Sequence, residues 1–102
     1  MVSQLRIYTI NPGMMDSWLK IFEDTIRPLH SKLGIPVERT WVNAEANEFV
    51  WVRSFKNVEE IKGKEEAYFA SDERKALGDI PQQHIVKMEV RVIEPVLVGS
   101  PE

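Results

Sequence analysis

The sequence predicts an α+β fold of the ferredoxin-like βαββαβ type, a four-stranded antiparallel sheet with its helices on one face. Three observations lead there. Residues 4–10, 37–43, 48–55 and 84–96 alternate with a period of two, as strands do. Residues 18–33 and 58–69 carry apolar side chains at helical spacing. Turn-forming residues separate these stretches, and the order strand, helix, strand, strand, helix, strand with right-handed crossovers gives the split βαβ arrangement.

The first strand, Gln4 to Ile10, is broken by Asn11-Pro12-Gly13. The helix that follows presents Trp18, Ile21, Phe22, Thr25, Ile26, Leu29 and Leu33, with Gly34 placed to cap it and His30 and Lys32 in the last turn. Pro28 interrupts this stripe. Without an N–H it cannot complete the helical ladder, so a kink or break is expected near Arg27. Val37 to Asn43 and Glu48 to Phe55 form a hairpin across Ala44-Glu45-Ala46-Asn47. Asn57 with Glu60 three residues on resembles a capping box, and Val58, Ile61, Tyr68 and Phe69 supply the second helix's buried stripe. Ser71 starts a further short helix holding Ala76 and Leu77, Pro81 closes the region, and the last strand runs from about His84 to Val96.

A chain of 102 residues that is 43% hydrophobic is one domain, 1–102, with a modest core. The net charge of −3 and scattered Lys and Arg exclude a nucleic-acid footprint. No segment has the roughly 20 apolar residues of a membrane span, and the N-terminal MVSQLRIYTI is too polar for a secretory signal. The absence of cysteine removes disulfides, thiolate nucleophiles and Cys-ligated metals, and fits a reducing, cytoplasmic setting. No His/Asp/Glu cluster has metal-ligand spacing. The Glu59-Glu60 and Glu65-Glu66 pairs, with Lys62 and Lys64 nearby, read as a solvated helix face.

Alternation sorts the strands into two faces. Leu5, Ile7, Val42, Val50, Val52, Val86, Met88, Val90 and Val92 suit the side under the helices. Arg6, Tyr8, Arg39, Trp41, Phe49, Trp51, Arg53, Phe55, Lys87, Glu89 and Arg91 fall on the other. That second set is too aromatic for water, so the expectation is a homodimer whose sheets pair through Tyr8, Trp41, Trp51 and Arg53.

The segments QLRIYTINPGMMDSWLKIFED, EFVWVRSFKNVEE and YFASDERKAL resemble, in order and spacing, the NIPSNAP family over roughly Gln4 to Val96. The resemblance implies the dimeric α/β-barrel superfamily, in which two ferredoxin-like chains pair their sheets. That superfamily includes cofactor-independent monooxygenases of hydroquinone-like substrates, haem-degrading enzymes, lactone isomerases and proteins without known activity. One departure is visible: many members carry Pro-Glu-Trp after the Ala-Ser, where this chain has Asp72-Glu73-Arg74.

The candidate chemistry is sparse. His30, beside the Pro28 break, suits a general base or an axial haem ligand, or else simply complements the helix end. Arg53 and Tyr8 are candidate catalytic partners, stabilising an enolate or phenolate. Trp18, Trp41, Trp51 and Tyr68 either fill the core or wall a flat pocket for a small hydrophobic, aromatic molecule. The expectation is a small-molecule binder or cofactor-independent monooxygenase. The alternatives are a non-catalytic assembly protein, and a haem protein using His30.

Overall fold

The computed structural model of the chain describes residues 1–96. The strands are β1 (Val2–Ile10), β2 (Val37–Val42), β3 (Glu48–Phe55) and β4 (Ile85–Ile93). They form one antiparallel sheet in the order β2-β3-β1-β4, as the predicted topology requires. β1 is a central strand, hydrogen-bonded to β3 on one side and β4 on the other, so its side chains stand in the middle of each sheet face.

The first helical region is continuous from α1 (Met15–Ile21) through a π-helical turn (Phe22–Ile26) into α2 (Arg27–Lys32). Pro28 therefore produces a local change of hydrogen-bond register rather than a break. The missing N–H is absorbed by the wider turn before it, where the Arg27 N–H reaches back to Phe22 O. Gly34, at φ +73°, ends the helix, and the Ile35 N–H closes back onto His30 O.

α3 (Val58–Ala70) starts as expected, with the Asn57 side chain accepting from the Glu60 N–H at 2.9 Å. α4 (Asp72–Leu77) is capped by Ser71. One element was not expected: α5 (Ile80–His84), in which Pro81 opens a helix turn rather than closing the region. His84 consequently ends α5, and β4 begins one residue later and stops at Ile93.

The facial assignment is reversed for β1 and β3. Phe49, Trp51, Arg53 and Phe55 are buried under the helices, with Val2, Gln4, Tyr8 and Ile10 of β1. α1 and the π turn deliver Trp18 and Phe22 onto this face. Phe22 meets Phe49 at 4.8 Å and Trp51 at 5.0 Å between ring centroids, and Trp18 meets Phe49 edge-on at 5.9 Å. Large rings bury more apolar area than valines would, which favours this side of the alternation for the core.

Leu5, Ile7, Val50 and Val52 instead form the open face, where Leu5 pairs with Val52 and Ile7 with Val50. A bulge at Glu38 shifts the β2 register, so Arg39 and Trp41 share the open face with Val52 and Val50. A second irregularity beside Thr9 and Ile10 leaves Met88, Val90 and Val92 on the helix face, opposite Tyr8, Arg6 and Gln4. The helices do not cover them, and all three are exposed. Of the four residues expected at a sheet-to-sheet interface, Tyr8, Trp51 and Arg53 are therefore buried within the chain, and Trp41 alone stands on the open face, 45% exposed.

Candidate functional site

Between the uncovered half of the sheet and helices α3 to α5 lies a cleft of about 340 Å³. Its floor is Arg6, Tyr8 and Trp51 from β1 and β3, with Ile85 to Met88 along the β4 side. Trp18, Ile26 and His30 come from the first helical region, Tyr68 and Phe69 from α3, and Arg74 from α4.

Beneath the floor a polar network is held in the core. The Arg53 guanidinium is only 4% exposed. It donates to Gln4 Oε1 at 2.8 Å, to His30 Nε2 at 2.9 Å and to Glu65 Oε2 at 2.6 Å. Gln4 Oε1 also accepts from Arg6 Nη1 at 2.7 Å, and Arg6 Nε donates to the Tyr8 hydroxyl at 2.7 Å. His30, Arg53 and Tyr8 are thus brought into one connected chain. Burial and then the neighbouring Arg6 charge pull the Arg53 pKa down to about 10, against the opposing pull of Glu65, so it stays charged at neutral pH.

His30 is 1% exposed, and both its ring nitrogens are engaged. Nδ1 lies 2.8 Å from Ile26 O, and a carbonyl can only accept, so Nδ1 carries the proton. Nε2 is then the acceptor for Arg53. Burial, assisted by the Arg53 and Arg6 charges, lowers the imidazole pKa from 6.5 to about 4. A haem iron or a substrate proton would need the lone pair that Arg53 holds. The residues do not fit axial haem ligation, and His30 has no free nitrogen for base catalysis. His84 is built the same way: Nδ1–H donates to Ile80 O at 2.8 Å, and Nε2 lies 2.8 Å from the Ser17 hydroxyl.

A neutral buried imidazole makes stability depend on pH. The unfolded chain takes up the proton near 6.5 and the folded chain only near 4, so the stabilisation is present above 6.5 and lost as pH falls toward 4. The loss attributable to His30 is expected to reach about 2.5 kcal/mol by pH 4.5. Gln can donate to Ile26 O and accept from Arg53 without titrating. Urea unfolding of wild type and His30→Gln at pH 7 and pH 4.5 should therefore show a smaller acid loss in the variant, with Glu65, Arg6, Arg53 and Tyr68 common to both. Equal losses would contradict the neutral-imidazole assignment.

Two features of the cleft are unpartnered. The indole N–H groups of Trp18 and Trp51 are buried and have no acceptor among the described residues. Arg74 is 8% exposed, lies over the rings of Phe69 and Tyr68 at 5.3 and 5.9 Å, and donates to Gly78 O at 3.0 Å. Burial pushes the Tyr68 phenol up, so its hydroxyl remains a donor.

Glu65, read from sequence as part of a solvated face, in fact partners Arg53. The signal was present: Ile61, Glu65 and Tyr68 fall at i, i+4 and i+7, placing the carboxylate on the buried stripe. Gln4 was not singled out either, although strand alternation puts it in phase with Arg6 and Tyr8. Trp41 lies apart from the cleft, on the other side of the sheet.

The NIPSNAP family model matches residues 3–98. The chain belongs to the NIPSNAP family. No curated protein sequence matches it. Among solved structures it is similar to an uncharacterized NIPSNAP domain protein from Burkholderia xenovorans, with a TM-score of 0.85, 17% identity and full coverage of both chains. A NIPSNAP family protein of unknown function from Agrobacterium tumefaciens also gives a TM-score of 0.85, at 20% identity over 99% of this chain and 92% of that one. A putative antibiotic biosynthesis monooxygenase from Bacteroides thetaiotaomicron gives 0.74 at 12% identity, covering 99% and 94%. At these identities the likeness concerns the fold. Within this NIPSNAP chain, the departure at Asp72-Glu73-Arg74 acquires a place: Arg74 forms part of the cleft wall.

Proposed function

We propose that this NIPSNAP chain binds a small planar aromatic molecule in the cleft, with Trp18, Trp51, Tyr8 and Tyr68 as its contacts. The observation that carries the reading is the pair of buried indole donors without acceptors in the wall of an aromatic cleft. Natural interiors satisfy such groups; both nitrogens are covered by neighbouring atoms, so an acceptor oxygen arriving with a ligand reaches them as the indole rings adjust around it. Arg53 and His30 act from below, fixing Gln4 and through it Arg6.

The lining supports binding and orientation more than turnover. Hydroquinone oxygenation of the monooxygenase kind begins with loss of a phenolic proton. The described lining residues include no carboxylate, and His30 is capped by Arg53. The cysteine-free chain suits a reducing, cytoplasmic compartment, and no helix among the described residues is long and apolar enough to cross a membrane.

The test is a thermal-shift panel of hydroquinone, 2-naphthol and 2-naphthoate. A ligand at a hundred times its Kd adds about 2.7 kcal/mol, a rise in Tm of roughly 10 °C or more for a domain this size. Trp51→Phe, which keeps a ring but removes the donor, should weaken the response. No shift with any of the three would contradict the reading.

The same proposal includes a homodimer through the open face. Leu5, Ile7, Val50 and Val52 lie side by side there, with Trp41 beside Val50 and Ile93 43% exposed at the far edge. An antiparallel sheet's uncovered face is ordinarily polar. Light scattering should give a dimer for wild type and a monomer for Leu5→Asp and Val52→Asp, while Trp51→Phe leaves the assembly unchanged. A monomeric wild type would contradict this part of the proposal.

A further inference from the structure

The cations around the cleft are out of balance with the anions. Arg6, Arg53 and Arg74 are held on the helix side of the sheet, and Glu65 is the carboxylate that answers them. Its Oε2 sits 2.6 Å from Arg53 and 3.7 Å from Arg6. Lys87, also in the lining, has its own carboxylate in Glu89 at 3.8 Å, so the three arginines against Glu65 leave an excess of two positive charges. Arg6 completes its contacts with Gln4, the Tyr8 hydroxyl and the Met88 sulfur, the last a weak acceptor at 3.2 Å.

Arg74 is the extreme case. No carboxylate among the described residues pairs with it, because its neighbour Glu73 turns away to Lys32 at 2.7 Å and Asp72 is exposed. Its partners are one carbonyl, two ring faces and the Tyr68 hydroxyl, all of them uncharged. An arginine more than nine-tenths buried without a carboxylate beside it leaves a charge that an incoming anion can answer. Here it lines the same cleft as the two unpartnered indole donors. Every one of these groups donates and none accepts.

Resting on the aromatic-binding reading above, we infer that the cleft selects an anion, a planar aromatic carboxylate or phenolate, and that Arg74 is the specificity-determining residue. The rings lie against Tyr68, Phe69 and Trp51, and the negative oxygen takes the place of the missing counter-ion. Arg6 and the indole N–H groups add to the positive field. A guanidinium on a ring-lined wall presents a flat donor edge suited to a planar oxygen pair.

The test uses two probes of nearly equal shape, 2-naphthoate and the neutral 2-naphthamide, titrated calorimetrically into wild type, Arg74→Gln and Arg74→Lys. Wild type should prefer the carboxylate by roughly ten- to a hundredfold. Arg74→Gln should bring the two probes to similar affinity, and Arg74→Lys should keep most of the preference. Equal binding of both probes by wild type would overturn anion selection while leaving the aromatic cleft standing. An undiminished preference in Arg74→Gln would overturn the role of Arg74. Failure of both probes to bind wild type would remove the aromatic-binding reading and this inference together. Should Arg74→Gln not fold, the wild-type ratio still decides anion selection, and Arg74→Lys against wild type reports on the residue.

Discussion

Replacing Arg53 with methionine is expected to cost the fold about 3–5 kcal/mol. Methionine fills much of the same volume, so the loss is electrostatic rather than a cavity. It removes the donor to His30 Nε2 and the closest cation to Glu65, while Gln4 keeps its bond from Arg6. The imidazole is then a buried acceptor without a partner, which is where most of the cost falls. Glu65, about a third exposed, can turn toward water in this variant, so little of the loss falls on it. Glu65→Gln keeps an acceptor for Arg53 but leaves the buried guanidinium without its counter-ion, and should itself cost about 1–3 kcal/mol. Urea denaturation of the two variants measures this directly. An Arg53→Met protein within 1 kcal/mol of wild type would mean that the network is incidental to stability.

The second large effect is expected at Phe22. It is completely buried at the centre of the ring cluster, in contact with Trp18, Phe49 and Trp51. Phe22→Ala should cost about 3–5 kcal/mol through lost transfer energy and an unfilled cavity, against a total stability of about 5–15 kcal/mol for a typical domain. Phe22→Leu, which refills most of the space, should cost less than about 1.5 kcal/mol. Equal losses for the two would show that the π turn relaxes to fill the gap, and that packing there is loose.

How far the sequence foretold this follows from which forces act locally. The strand order was legible because alternation in residues 48–55 and the helical stripe of Trp18, Phe22, Ile26 and Leu29 are properties of each segment alone. Which side of a strand meets the helices is not local. β3 has rings and an arginine on one side and valines on the other, and either could be buried until the partners of Arg53 are known. Those partners come from three distant segments: Gln4, His30 and Glu65. The bulges at Glu38 and beside Ile10 each move a strand's faces by one residue, and nothing in either stretch marks them.

The site was partly visible. Tyr8, Trp18, Trp51 and Tyr68 are at the cleft, as expected of a flat aromatic pocket, and His30 with Arg53 lies at its base. Trp41 was grouped with them by alternation, and the β2 bulge carried it to the other face. Arg74 stood out in the sequence only as a departure from a pattern. Its burial against Tyr68 and Phe69 depends on the turn at Ser71 that swings α4 over the cleft.

The cleft's role is tested most directly by the indole N–H resonances of ¹⁵N-labelled protein during a 2-naphthoate titration. The three tryptophans give three such signals, two from the cleft and one from the open face. Binding as described should move the Trp18 and Trp51 signals downfield as their protons gain an acceptor, leaving Trp41 in place. Unchanged signals for Trp18 and Trp51 at saturating probe, or movement of Trp41 alone, would contradict a ligand site in this cleft.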